Sequence, residues 1–186
     1  MKGRVANFIK QATWVAIGCF MIRCALSWEQ VTTAFNAYDI FGFAGEAVSV
    51  TAAFMLIYER WLWKYNPWES MPRLSTRYYG KLKSSYDDAE RDAILYIKQS
   101  LLSVHVTMQS GESKSSSITA VIDEIAEEKL LIYCYLNIPS SEYRNRSEIH
   151  YGTAMLCVDD PNKLTGNYYT DRKTRGSMKF DVVIPQ

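Results

Sequence analysis

Histidine is scarce in this chain, with only two in 186 residues. His105 and His150 have no helical His spacing and no neighbouring carboxylate or cysteine pattern that would suggest a metal site. The four cysteines form no framework either: Cys19 and Cys24 lie in an apolar run, Cys134 and Cys157 in separate expected strands. That spacing excludes a disulfide-stapled scaffold and a zinc site, and it agrees with reduced thiols in a cytosolic compartment. The segment Gly111-Glu-Ser-Lys-Ser lacks the second glycine of a phosphate loop and reads as a hairpin turn. No Ser-His-acid or Cys-His arrangement can be assembled, so no enzyme and no cofactor are expected. Charge of one sign is lacking as well: 21 Lys+Arg against 20 Asp+Glu leave a net charge of +1, which does not ask for direct nucleic-acid binding.

What the chain does have is two long apolar runs near its start. Phe8 to Trp28 is interrupted only by Lys10, Gln11, Thr13 and Arg23, and Ile40 to Tyr58 chiefly by Glu46. Each approaches the roughly 20 residues that a helix needs to cross a bilayer core. The first run, with Lys2, Arg4 and Lys10 before it, could instead serve as a signal peptide. However, no small-residue cleavage site follows, and Trp28 suits an interface anchor better. Basic residues flank the pair on both outer sides (Lys2, Arg4, Lys10; then Arg60, Lys64, Arg73, Arg77), whereas the loop between carries Glu29 and Asp39. The positive-inside rule therefore expects both termini in the cytoplasm, with Trp61, Trp63, Tyr65 and Trp68 at the inner headgroups and anionic lipid as a partner.

Two intramembrane charges stand out. Arg23 precedes Trp28 by five positions and Glu46 follows Ile40 by six. At about 1.5 Å per residue both lie roughly 8–9 Å below the outer interface. They could pair within one hairpin or between hairpins; alternatively Arg23 snorkels and Glu46 is protonated. Gly45, Ser49 and Ala53 form a small-residue stripe that permits close helix approach, either to seat one helix of the hairpin on the other or to join hairpins. Arg23, Gly45, Glu46, Ser49 and Ala53 are thus the candidates for membrane assembly.

From about Ser70 onward the pattern changes to alternation of polar and apolar residues. Eight strands are expected, at Tyr78–Tyr86, Arg91–Gln99, Leu101–Gln109, Ser117–Ile125, Lys129–Ile138, Ile149–Val158, Leu164–Thr170 and Ser177–Ile184, although Ala93–Leu102 also reads as a helix. Short turns between them, including one at Arg175-Gly176, suggest an antiparallel up-and-down β-barrel, with a β-sandwich as the alternative. The expected fold class is therefore a membrane α-hairpin plus an all-β domain. It comprises a two-helix transmembrane region (1–66), a connector stiffened by Pro67 and Pro72 (67–76) and a cytosolic barrel (77–186).

A barrel of this size encloses packed side chains or one small ligand. Strand parity divides the Lys129–Ile138 strand into Leu131, Tyr133, Tyr135 and Asn137 on one face and Leu130, Ile132, Cys134 and Leu136 on the other. One face offers rings and an amide, the other plain apolar packing. On the Leu164 strand, Gly166, Tyr168, Thr170 and Arg172 share a face. Each tyrosine alone is ordinarily a core residue; together with Asn137, Thr170 and Arg172 they point to a polar, aromatic pocket, with His150 a further candidate contact.

The order of two membrane segments, Leu130-Leu-Ile-Tyr-Cys-Tyr-Leu-Asn-Ile-Pro139, His150-Tyr-Gly-Thr153 and Leu164-Thr-Gly-Asn-Tyr-Tyr-Thr-Asp-Arg-Lys-Thr174 resembles the small membrane effectors of CBASS, the cyclic-oligonucleotide-based anti-phage system of bacteria. The resemblance covers essentially the whole chain, and its most specific part is Leu-x-Gly-x-Tyr-x-Thr-x-Arg-x-Thr. It implies a β-barrel receptor for a cyclic dinucleotide or related cyclic oligonucleotide made by a partner nucleotidyltransferase. It further implies self-assembly, disruption of the inner membrane and abortive infection. Under it, Tyr133, Tyr135 and Tyr168 would stack on bases, Arg172 (and Arg146) would meet phosphate, and Asn137, Thr170 and Thr174 would read base edges or ribose. Two other classes stand beside it: a membrane-anchored, lipocalin-like carrier of an apolar ligand, and a structural adaptor subunit of a membrane complex.

Overall fold

The computed structural model describes residues 2–28, 32, 36–145 and 147–182. The chain divides into two compact units, Met1–Glu69 and Ser70–Gln186.

In the first unit, helix α1 (Lys2–Leu26) and helix α2 (Ala37–Arg60) form the hairpin. Both are long and apolar enough to cross a membrane, with spans of 24 residues at Gly3–Leu26 and Ala37–Arg60. They exceed the apolar runs because the flanking polar residues continue the same helical turns. Asn36 starts α2 as its N-cap, its side chain accepting from the Tyr38 amide at 3.0 Å and satisfying one of the amides that a helix start leaves open. Phe43, Ala47, Thr51 and Met55 are the buried residues of α2. Gly45, Ser49 and Ala53 lie on the exposed side, and nothing stands within 4 Å of a methyl group placed on Gly45. The small-residue stripe therefore does not seat one helix of this hairpin on the other. The buried row two positions away, Phe43, Ala47, Thr51 and Met55, does that. Arg23 and Glu46 meet within the hairpin, Nε to Oε2 at 2.6 Å, while the guanidinium also bonds Ser27 and lies 4.4 Å from the Phe43 ring centre.

The second unit is a closed barrel of eight antiparallel strands in sequence order: β1 (Arg77–Ser84), β2 (Glu90–Gln99), β3 (Val104–Ser110), β4 (Ser113–Ile125), β5 (Glu128–Pro139), β6 (His150–Cys157), β7 (Lys163–Thr170) and β8 (Arg175–Asp181). Closure by β1–β8 pairing removes both sheet edges. Ala93–Leu102 is strand and turn rather than helix: Ala93, Leu95 and Ile97 alternate inward with period two. Three other expectations are corrected. The third strand begins at Val104, because Ser100 and Ser103 close a tight turn through their backbones at 2.9 Å and their hydroxyls at 2.8 Å. β4 begins at Ser113 and not Ser117, so Ser113–Ser115 is strand and not turn, with a register shift between Ser117 and Thr119. The last hairpin turns at Asp171–Thr174, where Lys173 takes a left-handed φ of 62°, and Arg175-Gly176 already belongs to β8. Residues 183–184 of the expected last strand lie outside the described residues.

The two ends of the barrel differ. Leu101, Val158, Leu164, Phe180 and Tyr78 are buried towards one end, each apolar side chain worth about 1.5–3 kcal/mol on burial. Tyr78 receives the Ser75 amide at 2.8 Å and donates to the Pro161 carbonyl at 2.7 Å. Gln99 holds the incoming chain there, donating to Pro72 O at 2.8 Å and accepting from the Leu74 amide at 3.0 Å. The connector thus seals this end. At the other end, ringed by the β1–β2, β3–β4, β5–β6 and β7–β8 connections, the interior is open and polar.

Candidate functional site

The open end encloses a cavity of about 190 Å³. Of the eight residues singled out for ligand contact, seven line it: Tyr135, Asn137, His150, Tyr168, Thr170, Arg172 and Thr174. Strand pairing explains the convergence. Asn137 on β5 faces His150 on β6, and Gly152 on β6 pairs with both Tyr135 and Thr170. Two glycines make room for the rings. A methyl group on Gly152 would stand 2.4 Å from the Tyr135 ring, and one on Gly176 2.5 Å from the Tyr168 ring. Without side chains at these positions the inner wall accepts two broad aromatic faces.

Tyr133 does not line the cavity. It is buried among the core side chains, its ring centre 5.8 Å from that of Tyr135, and its hydroxyl has no partner among the described residues. Its role in the geometry is to support Tyr135 from beneath. The other half of the parity split is corrected too: Leu130, Ile132 and Leu136 are half-buried and Cys134 exposed on the outer wall, so the more apolar face of β5 is outside the barrel. Arg146 lies outside the described residues.

Polar atoms in the wall are positioned by local bonds. Asn137 Nδ2 donates to Ser113 Oγ at 3.2 Å, while its Oδ1 is buried without a partner among the described residues. Thr170 and Thr174 share a hydroxyl contact of 2.6 Å, which fixes both across the β7–β8 turn. Arg172 at the tip of that turn is exposed and donates from Nη1 to Ser147 Oγ at 3.1 Å. His150 Nδ1 lies 2.9 Å from the Glu148 carbonyl. Burial, then the nearby Tyr168 and Asp171, push the Tyr135 phenol up, so it stays protonated as a hydrogen-bond donor.

Sequence reasoning missed Arg91, Asp87, Glu112 and Ser113, all of which line the cavity. Arg91 was legible: it precedes Ala93, Leu95 and Ile97 on the inward parity of β2. Asp87 and Glu112 belong to turns, where period two gives no direction. Arg91 holds Asp87 through two contacts, one from Nη1 to Oδ1 at 3.1 Å, and its Nε lies 3.4 Å from Glu112 Oε2.

A larger hollow of about 910 Å³ lies on the outer wall over β8, β1 and β2, lined by Lys81, Lys83, Lys179, Tyr79 and Tyr96 among others. Its charges are answered locally, Lys81 by Glu90 at 3.3 Å and Lys83 by Asp88 at 3.1 Å. It gathers none of the eight residues singled out for ligand contact, so the interior cavity is the candidate site. Among the described residues, no cluster of His, Cys, Asp and Glu could hold a metal ion.

A family model described as Cap15, cyclic dinucleotide receptor domain, matches residues 69–181. The chain is also similar to CD-NTase-associated protein 15 of Staphylococcus schleiferi, at 27% identity over 187 residues, covering 97% of this chain and 98% of that protein.

Proposed function

The chain belongs to the Cap15 cyclic dinucleotide receptor domain family, and from that membership we propose that it is a membrane-anchored receptor and effector of CBASS anti-phage defence. A cyclic dinucleotide, or a related cyclic oligonucleotide supplied by a partner nucleotidyltransferase, enters the open end of the barrel. Binding drives copies of the chain together, and their hairpins disrupt the inner membrane, giving abortive infection. Both termini and the barrel lie in the cytoplasm, a topology supported by the basic flanks and acidic loop.

The observation that carries the reading is the composition of the cavity wall. The rings of Tyr135 and Tyr168, the amide of Asn137, the paired threonines and two arginines stand around one space at the end of the barrel. A cyclic dinucleotide presents bases for stacking, ribose and base edges for hydrogen bonds, and phosphates for guanidinium groups. An apolar-ligand carrier would need an apolar cavity, and an adaptor would need a barrel packed to both ends. Neither description fits this wall. On this reading the chain acts by binding its ligand.

The test is titration of the full chain in detergent with cyclic di-AMP, cyclic di-GMP and cyclic GMP–AMP, read by calorimetry. At least one is expected to bind, and Arg172→Ala to weaken it by about one to two decades, the worth of a charge-assisted phosphate contact. Failure of all three, together with larger cyclic oligonucleotides, would overturn the reading.

A further inference from the structure

We propose that Arg91 is the principal phosphate-binding group of the cavity, and that Asp87 and Glu112 occupy it in the ligand-free barrel as intramolecular stand-ins for the ligand's phosphates. The inference rests on the cyclic dinucleotide reading of the site and names a group and a competition that this reading does not contain.

Two cations line the cavity, and they are not equivalent. Arg172 sits at a turn tip, exposed, with Ser147 as its hydrogen-bond acceptor. Arg91 stands on a strand, on the same inward face as Ala93, Leu95 and Ile97, with 28% of its side chain exposed. A guanidinium on a strand and partly removed from water binds anions more strongly than one at an exposed turn tip, because less order is lost and screening is weaker. Its donors are also pre-arranged. Nη1 and Nη2 both contact the Asp87 carboxylate, and Nε points to Glu112. That is the fork geometry in which a guanidinium receives two oxygens of one phosphate. The hydrogen bond from Arg91, the largest of several causes, holds the Asp87 carboxyl at about 2, so the competitor is fully charged at neutral pH.

Charge and space agree. The formal charges of Arg91, Arg172, Asp87 and Glu112 cancel, so the closed cavity offers no net attraction to a doubly negative ligand. The enclosed volume of about 190 Å³ also falls short of the roughly 300–1,000 Å³ usual for ligand pockets. Asp87 lies on the β1–β2 turn and Glu112 on the β3–β4 turn, so their contacts to Arg91 tie two rim connections to β2. A phosphodiester that takes Arg91 sends the carboxylates out to water, leaves the rim net positive and releases the tie. One exchange therefore supplies attraction and room together.

A purely structural clasp predicts something different, and sign separates the two. Both ideas expect Asp87→Asn, Glu112→Gln and Arg91→Lys to lower the melting temperature of the ligand-free protein. Only the competition expects the acid variants to bind more tightly while the arginine variants bind more weakly. The experiment titrates the full chain in detergent with whichever of cyclic di-AMP, cyclic di-GMP or cyclic GMP–AMP the wild type binds. Asp87→Asn and Glu112→Gln should each tighten binding about three- to tenfold, Arg91→Lys should weaken it about tenfold, and Arg91→Ala by up to about a hundredfold. If Arg91→Ala fails to fold, the opposite signs of Asp87→Asn and Arg91→Lys still decide. Acid variants that bind no better than wild type, or an Arg91→Lys that binds equally well, overturn the inference while leaving the receptor reading intact. A wild-type protein that binds no cyclic nucleotide overturns both.

Discussion

Tyr133 carries a hydroxyl that the barrel buries without a partner among the described residues. An unsatisfied buried hydroxyl costs about 1–3 kcal/mol, so Tyr133→Phe should stabilise the barrel by about 1 kcal/mol, a rise of a few degrees in melting temperature. Ligand affinity should hold, since Tyr133 supports Tyr135 without lining the cavity; a loss of affinity on removing only this oxygen would place it in the site after all. The same residue sets an alkaline limit. Desolvation by burial pushes the phenols of Tyr133 and Tyr135 far above their ordinary value, with Tyr135 the second cause for Tyr133, and Tyr168 and then Asp171 for Tyr135. The unfolded chain releases those protons near pH 10 while the folded barrel retains them, so the stability they contribute is complete below about pH 10 and is lost as pH rises further. Denaturant midpoints measured from about pH 9 to about pH 11 should fall less steeply in Tyr133→Phe than in wild type. A slope unchanged by the substitution would mean that Tyr133 is not the buried phenol responsible.

At the scale of elements, β5 illustrates what alternation can and cannot give. Period two divided Leu131, Tyr133, Tyr135 and Asn137 from Leu130, Ile132, Cys134 and Leu136, and the structure keeps that division. Hydrophobicity gives the wrong inside, because the face with rings and an amide is the one buried. A strand lining a polar cavity inverts the usual rule, and the inversion is invisible until strands are paired around a barrel. Ser113 and Ser115 of β4 were illegible for the same reason. Ser113, Ser115 and Ser117 have weak strand propensity but point inward, where a larger residue would fill the space. Gly152 shows the pairing logic in one residue. It lies opposite Tyr135, and an added methyl group would stand 2.4 Å from the ring and 2.8 Å from the Tyr169 carbonyl. Gly152→Ala should therefore cost about 1–3 kcal/mol in stability and displace Tyr135 from the wall. Calorimetric titration of the variant should show weaker nucleotide binding; an unchanged affinity would mean that Tyr135 contributes packing and not stacking.

For the whole molecule, the two spans and their charged pair were legible from length and position, whereas the side of α2 that meets α1 was not. The sequence offered a small-residue stripe, yet the helices close through Phe43, Ala47, Thr51 and Met55 and leave Gly45, Ser49 and Ala53 outward. One hairpin spans a bilayer without enclosing a pore, so membrane disruption on the proposed reading needs several copies, and the outward stripe is the surface on which α2 can approach another helix closely. The ion pair does different work. Arg23 and Glu46 neutralise each other at 2.6 Å within one hairpin, and Glu46→Gln would leave a cation whose burial in a bilayer costs up to roughly 2.5–3.5 kcal/mol. Two separable defects are therefore expected in liposomes. Gly45→Leu and Ala53→Leu should insert normally and bind nucleotide normally, yet release several-fold less dye as nucleotide is titrated. Glu46→Gln should instead lower the amount of chain that inserts, and the double change Arg23→Leu with Glu46→Leu should restore insertion. Dye release measured against the quantity of inserted protein distinguishes the two. Leakage that persists in both leucine variants at full nucleotide occupancy would mean that hairpins meet through another helix face or that the barrel alone drives assembly, because no closer approach than that stripe allows would then have been needed.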